Sequence, residues 1–379
     1  MSAFAALWGS GAAERGCGWL AANADRTERE AVAIQQIPAP PFAEEARACY
    51  VRERFESLGL LDLSMDESGN VFGRVAGRGV PFEPGPAMLV TAHLDTVFGP
   101  ETDLTIRHTG DRLYGPGIGD NSLGVAALLA HAAWFQREQP RRDIWFAANV
   151  GEEGLGNLRG MWALMQRLQS RIGAVVVLEG GAFGVVIHRG TGIERRRLTV
   201  ETEGGHAWSD FGAASAVHEL CHIGSLIASL EIPASPRTTY NLGAIQGGAS
   251  INTIASEASA LLDLRSEDPA ALAQLSESID GILAGARRDR VTVRSEEIGA
   301  RPAGAIPANH PLVEAAVESL RWVGCEKASL RAASTDANVP LSLGIPSVCI
   351  GVAVGQNAHR IDEYIELDSL RSGLKHTFL

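Results

Sequence analysis

His93, Asp95, Asp120, Glu152, Glu153, Glu179 and His359 are the residues of this 379-residue chain whose types and placing could do chemistry together. His93-Leu94-Asp95 follows the apolar run AMLVTA (87–92), and Gly151-Glu152-Glu153 follows DIWFAANV (143–150). Glu179 follows AVVVL (174–178), and His359 comes a short loop after SVCIGVAV (347–354). Asp120 lies in the glycine-rich turn GPGIGDNSLG. Two imidazoles and several carboxylates without a thiolate suit Zn²⁺, Co²⁺ or Mn²⁺ in a hydrolytic site. A carboxylate such as Asp120 can give one oxygen to each of two ions roughly 3.5–4 Å apart, with a water activated between them. If the strand continues past His93, Asp95 shares its face and can accept the spare ring N–H. Glu152 and Glu153 are adjacent and expected to diverge, so one can bind metal while the other serves as general base.

A rival reading comes from HELCH, residues 218 to 222, which spells the H-E-x-x-H pattern of helix-borne zinc proteases. His218 and His222 can share a helix face with Glu219 between them. The same segment reads as an amphipathic helix whose apolar stripe is Val217, Leu220, Ile223, Ile227 and Leu230. No third ligand follows at a family-style spacing, and a zinc site needs one. The pattern is therefore expected to be a stretch of helix.

Positioning the first set requires a particular scaffold. The four apolar runs are continuous and of strand length, as suits strands buried on both faces of a largely parallel sheet. A helical pattern, SLGVAALLAHAAWFQRE (122–138), lies between two of them, preceded by an Asp-Asn-Ser cluster suited to N-capping. Binding residues in open α/β sheets gather at the carboxyl ends of strands, where these residues fall. Between about 190 and 298 the texture changes: RRRLTVETEG and ASALLDLRS alternate polar with apolar and flank helical stretches near 213–230 and 269–287. The expected architecture is α/β, a mostly parallel central sheet covered by helices. Residues 1–189 and 299–379 would form it, with 190–298 as an inserted smaller α+β domain.

Composition narrows the partners. The formal net charge is −12, with 45% hydrophobic and 21% charged residues and no basic block, which argues against nucleic acid and anionic membranes. The longest apolar run (125–135) is too short to span a bilayer. The opening stretch carries no basic leader and is interrupted at Gly9, Gly11 and Glu14–Arg15, so neither signal nor anchor is expected. Five scattered cysteines without C-x-x-C spacing suggest buried thiols in a reducing compartment, with the cytoplasm as default.

The motifs HLD, GIGDNSLG, GEEGLGNLRG, LEGG, GGHAWSD, GGASINTIA, DLR and NAHRIDEYI occur in one order over nearly the whole chain. In this ordered set the sequence resembles the dinuclear zinc metallohydrolases that include aminoacylases, peptidase T-like tripeptidases, glutamate carboxypeptidases, acetylornithine deacetylases and succinyl-diaminopimelate desuccinylases. The resemblance implies that His93 and Glu179 hold one metal and Glu153 and His359 the other, that Asp120 bridges them and that Glu152 is the base. It also implies that the inserted domain is a lid through which a homodimer forms. From that lid His206 would stabilise the oxyanion, while Asn252 and Arg265 would contact a small substrate, Arg265 through a carboxylate. The chain departs from the family pattern at Ser122, Ala255 and Trp208, which puts the substrate subclass in doubt and touches no expected ligand. An aromatic amine or carbamoyl compound is the alternative substrate class.

Overall fold

A computed structural model describes residues 11–79 and 86–379. Residues 1–10, on which part of the no-leader expectation rests, lie outside the described residues. The described chain divides into two compact units, one ending at Gly190 and resuming over Ala305–Leu379, the other Thr191–Gly304.

In the larger unit the order of the main sheet is Leu61–Met65, Val71–Val75, Ile144–Asn149, Ala87–His93, Ile172–Glu179, Ser347–Gly351 and Val185–Gly190, with Ser329–Ala333 also pairing with Val185–Gly190. The four central strands, Ile144–Asn149 to Ser347–Gly351, run parallel to one another. Their alternate residues enter opposite cores: Val90, Ala92, Val176 and Leu178 pack on one face, and Leu89, Val175 and Val177 on the other. Burial on both faces explains why these strands read as unbroken apolar runs. At about 0.8 kcal/mol per buried methylene, either core tolerates truncation poorly.

Two local expectations change. The helix Gly124–Arg137 has no side-chain cap. Asn121 instead spends its amide across the sheet, donating to the Leu178 carbonyl (2.8 Å) and accepting from the Gly180 N–H (2.9 Å). The run SVCIGVAV is not one strand either. It ends at Gly351, and Val354–Gln356 joins a separate sheet with Tyr364–Glu366, Arg112–Tyr114 and Arg107–Thr109. The break falls where helix Leu367–Phe378 presses on the chain: a Cβ on its Gly373 would lie 1.4 Å from the Val352 carbonyl oxygen.

The main sheet of the smaller unit is antiparallel, in the order Thr238–Gly247, Glu257–Ser266, Gly192–Thr202, Val291–Arg301. Helices Ala216–Ala228 and Pro269–Ala286 supply Leu220, Ile223, Ile227, Leu275, Ile279 and Leu283 to its core. Along Glu257–Ser266 every second residue is buried, the period expected of a sheet covered on one side. Pro269 at the helix start and the Asp268 carboxylate, which accepts from Ala271 N–H, fix where the second helix begins. Its last strand runs to Arg301, paired with Ile193, three residues past the expected boundary. No helix among the described residues is long and apolar enough to cross a membrane.

Candidate metal centre

Strand ends place the larger unit's polar residues together. His93 closes Ala87–His93 and Glu179 closes Ile172–Glu179, two strands that are hydrogen-bonded neighbours. Glu152 and Glu153 lie just beyond Ile144–Asn149, on the other side of His93. Asp120 comes in on the Ile118–Leu123 turn, and its peptide bond to Asn121 is cis.

Asp120 is the centre of the geometry. Its Oδ1 is 3.1 Å from His93 Nε2 and its Oδ2 is 3.0 Å from His359 Nε2. Glu179 Oε2 lies 3.7 Å from His93 Nε2, and Glu153 Oε1 lies 3.0 Å from His359 Nε2. Two groups result, His93–Asp120–Glu179 and Asp120–Glu153–His359, each offering ligand atoms within 4.8 Å of one another and both using Asp120. His93 is buried, whereas the His359 side chain is 53% exposed, so one group is deep and the other opens to solvent.

The electrostatics suit a cation. Burial alone would lower the His93 imidazole, yet Glu179, Asp120 and Asp95 raise it well above its ordinary value. Hydrogen bonds to Asp120 and Glu153 raise His359 to about 10. Burial pushes the Glu179 carboxyl up to about 7, His93 opposing and Asp120 reinforcing. Burial acts the same way on Asp120, but the hydrogen bonds to His359 and His93 leave it below the usual range. Burial, and then the charge of Glu179, raises the Cys349 thiol on the neighbouring strand. Each imidazole is thus favoured in its cationic form by a surplus of carboxylates. Carboxylates shared between two imidazoles, oxygen by oxygen, are the donor set that divalent ions take.

Asp95 departs from its expected partner. The His93 Nδ1 lies 3.0 Å from the Asp95 backbone carbonyl, while the carboxylate is 3.6 Å away, beyond a hydrogen bond. That carboxylate is fully buried and instead accepts from the backbone N–H groups of Glu152 (3.1 Å) and Glu153 (2.7 Å). The chain turns after His93, so the carbonyl, not the side chain, returns to the ring. Glu152 is 7% exposed and belongs to neither ligand group.

Three supporting residues escaped sequence reasoning. Asn121 ties the Asp120 turn to the end of strand Ile172–Glu179, as described above. Asn149 accepts from Thr91 Oγ1 (2.5 Å) and donates to the buried Asp336 carboxylate (2.6 Å). Glu363 accepts from three backbone N–H groups beside Asp120. Asn121 and Glu363 fall inside the motifs GIGDNSLG and NAHRIDEYI, but nothing in a single sequence marks which groups they or Asn149 bind.

The lid-candidate residues belong to the smaller unit. His206 is paired with Thr253 in a two-residue ladder, and the Asn252 carbonyl accepts from Ala207 N–H (3.0 Å). The backbone N–H groups of Trp208 and Ser209 lie 3.3 Å from His206 Nδ1. A neutral imidazole accepting there carries its proton on Nε2. Arg265 is paired on its own strand with Asp263, Nε to Oδ2 at 2.6 Å, and Arg195 reaches the same carboxylate at 3.3 Å. His218 and His222 are exposed and join no metal-capable group among the described residues, while Glu219 pairs with Arg288. Leu220, Ile223 and Ile227 form the buried stripe beneath them.

Imidazoles and carboxylates converging at the strand ends of an α/β sheet form two groups that could hold metal ions. The sequence profile of the peptidase family M20/M25/M40 matches residues 89–377, and the chain belongs to that family. A protein named Probable carboxypeptidase from Neosartorya fischeri is 31% identical over 202 residues, covering 48% of this chain and 45% of that protein. Carboxypeptidase G2 of a Pseudomonas species is 36% identical over 89 residues, 22% of this chain and 20% of that one. The chain spans about half the length of the first of these curated relatives. The aminopeptidase PepT of Bacillus cereus shares the fold at a TM-score of 0.78 and 20% identity, covering 94% of this chain and 97% of its own. A tripeptidase of Staphylococcus aureus does so at 0.78 and 22%, covering 94% and 98%.

Proposed function

We propose that the protein is a two-metal hydrolase that cleaves an amide or related C–N bond in a small carboxylate-bearing substrate, a short peptide or an N-acyl amino acid. The observation that carries this reading is the sharing of Asp120, one oxygen toward each imidazole. His93 and Glu179 would hold one ion, Glu153 and His359 the other, with Asp120 between them. Two divalent ions there, zinc foremost and cobalt or manganese as alternatives, supply a Lewis acid and ease the ionisation of water. Glu152, held by its backbone to Asp95, takes a proton from the attacking water as the new C–O bond forms. His206 donates from Nε2 to the oxyanion, and Arg265 exchanges Asp263 for the substrate carboxylate. The C–N bond then breaks as Glu152 returns its proton to the leaving nitrogen.

Asn252 and His206 stand before the start of strand Glu257–Ser266, and Arg265 near its end. The eight residue steps from Glu257 to Arg265 span roughly 26 Å of extended chain. The family resemblance implies a homodimer through the smaller unit, and we take one copy to supply Arg265 and the other His206 and Asn252. His206→Ala is expected to lower kcat roughly 10²–10³-fold. Mixed with the separately inactive Glu152→Ala, it should regain about one quarter of wild-type activity by random pairing of copies. No regain on mixing would place both groups in one copy.

The cytoplasm is the proposed location, since all five cysteines are free. Two of them, Cys17 and Cys349, are buried as expected, but Cys221 is exposed.

One observation favours the alternative substrate class. Trp208, Phe211 and Ile251, close in sequence to His206 and Asn252, are 88%, 91% and 103% exposed. An apolar fringe of this kind suits the aromatic amine of that class. The deciding experiment is a hydrolysis screen of N-acyl amino acids, short peptides, aromatic amines and carbamoyl compounds with Zn²⁺, Co²⁺ and Mn²⁺ supplied separately. Hydrolysis abolished by chelation is the expected result, and its absence across the panel would overturn the assignment.

A further inference from the structure

We propose that Glu363 is a positioning residue that locks the turn carrying Asp120 to the loop carrying His359, and so sets the geometry of both ligand groups at once. The inference rests on the metal-site reading above and concerns a residue outside the ligand set.

The Glu363 carboxylate is 2% exposed, and its oxygens are directed to the Asp120 turn. Oε2 accepts from Gly117 N–H at 2.9 Å, and Oε1 accepts from Gly119 N–H at 2.8 Å and from Asp120 N–H at 2.7 Å. Its backbone adds a further tie, since the Glu363 carbonyl accepts from Gly115 N–H at 2.9 Å. The contact is close enough to dictate the opposing residue: a Cβ on Gly119 would lie 2.9 Å from Oε1. On the other side, a Cβ on Gly180 would lie 2.0 Å from the Gly119 carbonyl oxygen. The turn is therefore held between Glu363 and the chain just after Glu179.

Glu363 also ends the loop that carries His359. Within it Asn357 and His359 have positive φ angles of 62° and 67°, a conformation that non-glycine residues keep only when the surroundings over-determine it. Arg360 pairs with Asp362, Asn357 Nδ2 reaches Asp362 Oδ2 at 3.1 Å, and Glu363 N–H donates to the Arg360 carbonyl. The loop is thus closed on itself and fastened at Glu363 to the turn that presents the shared carboxylate. Because Asp120 belongs to both groups, a shift of this turn alters the deep group as well as the exposed one.

The test compares Glu363→Gln and Glu363→Asp with wild type. An amide keeps one oxygen acceptor but turns an N–H₂ toward a backbone N–H, whereas aspartate keeps both acceptors on a shorter stem. Metal-stripped protein is titrated with Co²⁺ and Zn²⁺ against a chromophoric chelator, and the Co²⁺ visible spectrum, melting temperature, kcat and KM are recorded. The expected result for the Gln variant is roughly 10–100-fold weaker uptake, an altered Co²⁺ spectrum and a fall in kcat larger than any change in KM. The Asp variant should recover part of each. Uptake of both ions by the Gln variant at wild-type affinity, with an unchanged spectrum, would overturn the proposal while leaving the metal site intact. If the Gln variant does not fold, the same comparison on the Asp variant decides. A wild-type chain that takes up neither ion overturns the metal-site reading itself, and this proposal with it.

Discussion

Glu152→Ala should lower kcat by roughly 10²–10⁴-fold, the range associated with loss of a positioned general base, while both ions remain bound. The two halves of that expectation have separate origins. Glu152 lies outside both ligand groups, so its carboxylate is not needed to hold the ions. The Asp95 tie is made to its backbone N–H, which alanine retains, so the chain on either side keeps its course. Steady-state kinetics paired with elemental analysis of the same preparation checks both halves. Near-normal turnover would remove Glu152 from the mechanism. Loss of metal would show it to be a ligand.

Asp120→Asn should be the more damaging change at the ligands. Its two carboxylate oxygens face different imidazoles, at 3.1 and 3.0 Å. An asparagine can keep one oxygen in place, but its amide nitrogen then faces the other imidazole as a donor where an ion requires a lone pair. Metal content is expected to fall from two ions per chain to at most one, with turnover reduced by at least about 100-fold. Two ions per chain with wild-type turnover would show that Asp120 is not shared between them.

The parts of the fold most legible in the sequence were those whose residues face one environment throughout. Strands Ala87–His93, Ile144–Asn149 and Ile172–Glu179 are buried on both faces, so each appears as an apolar run ending in a polar residue. Strands such as Leu61–Met65 and Ser329–Ala333, short and partly exposed, carry no such signal. The convergence of His93, Asp120, Glu153, Glu179 and His359 was readable because each falls at a strand end or in a glycine-rich turn or loop. What holds them was not readable. Asp95 was expected to bond the His93 ring and instead binds two backbone N–H groups. Asn121 was expected near a helix cap and instead ties two loops. Both errors have one physical source: a short polar side chain has several partners within reach, and only the tertiary course of the chain selects among them. HELCH shows the converse, since two histidines at the right helical spacing join no metal-capable group among the described residues.

The Asp95 clamp has a consequence for how the centre can be tuned. A single buried carboxylate holds the N–H groups of two consecutive residues, one the proposed base and the other a proposed ligand. The backbones from which the proposed base and the proposed ligand project are then held one peptide unit apart. The proposed active site thus has a common backbone anchor for its base and one of its ligands. Loops elsewhere can vary to admit different substrates, while the backbone that presents both carboxylates stays anchored to Asp95.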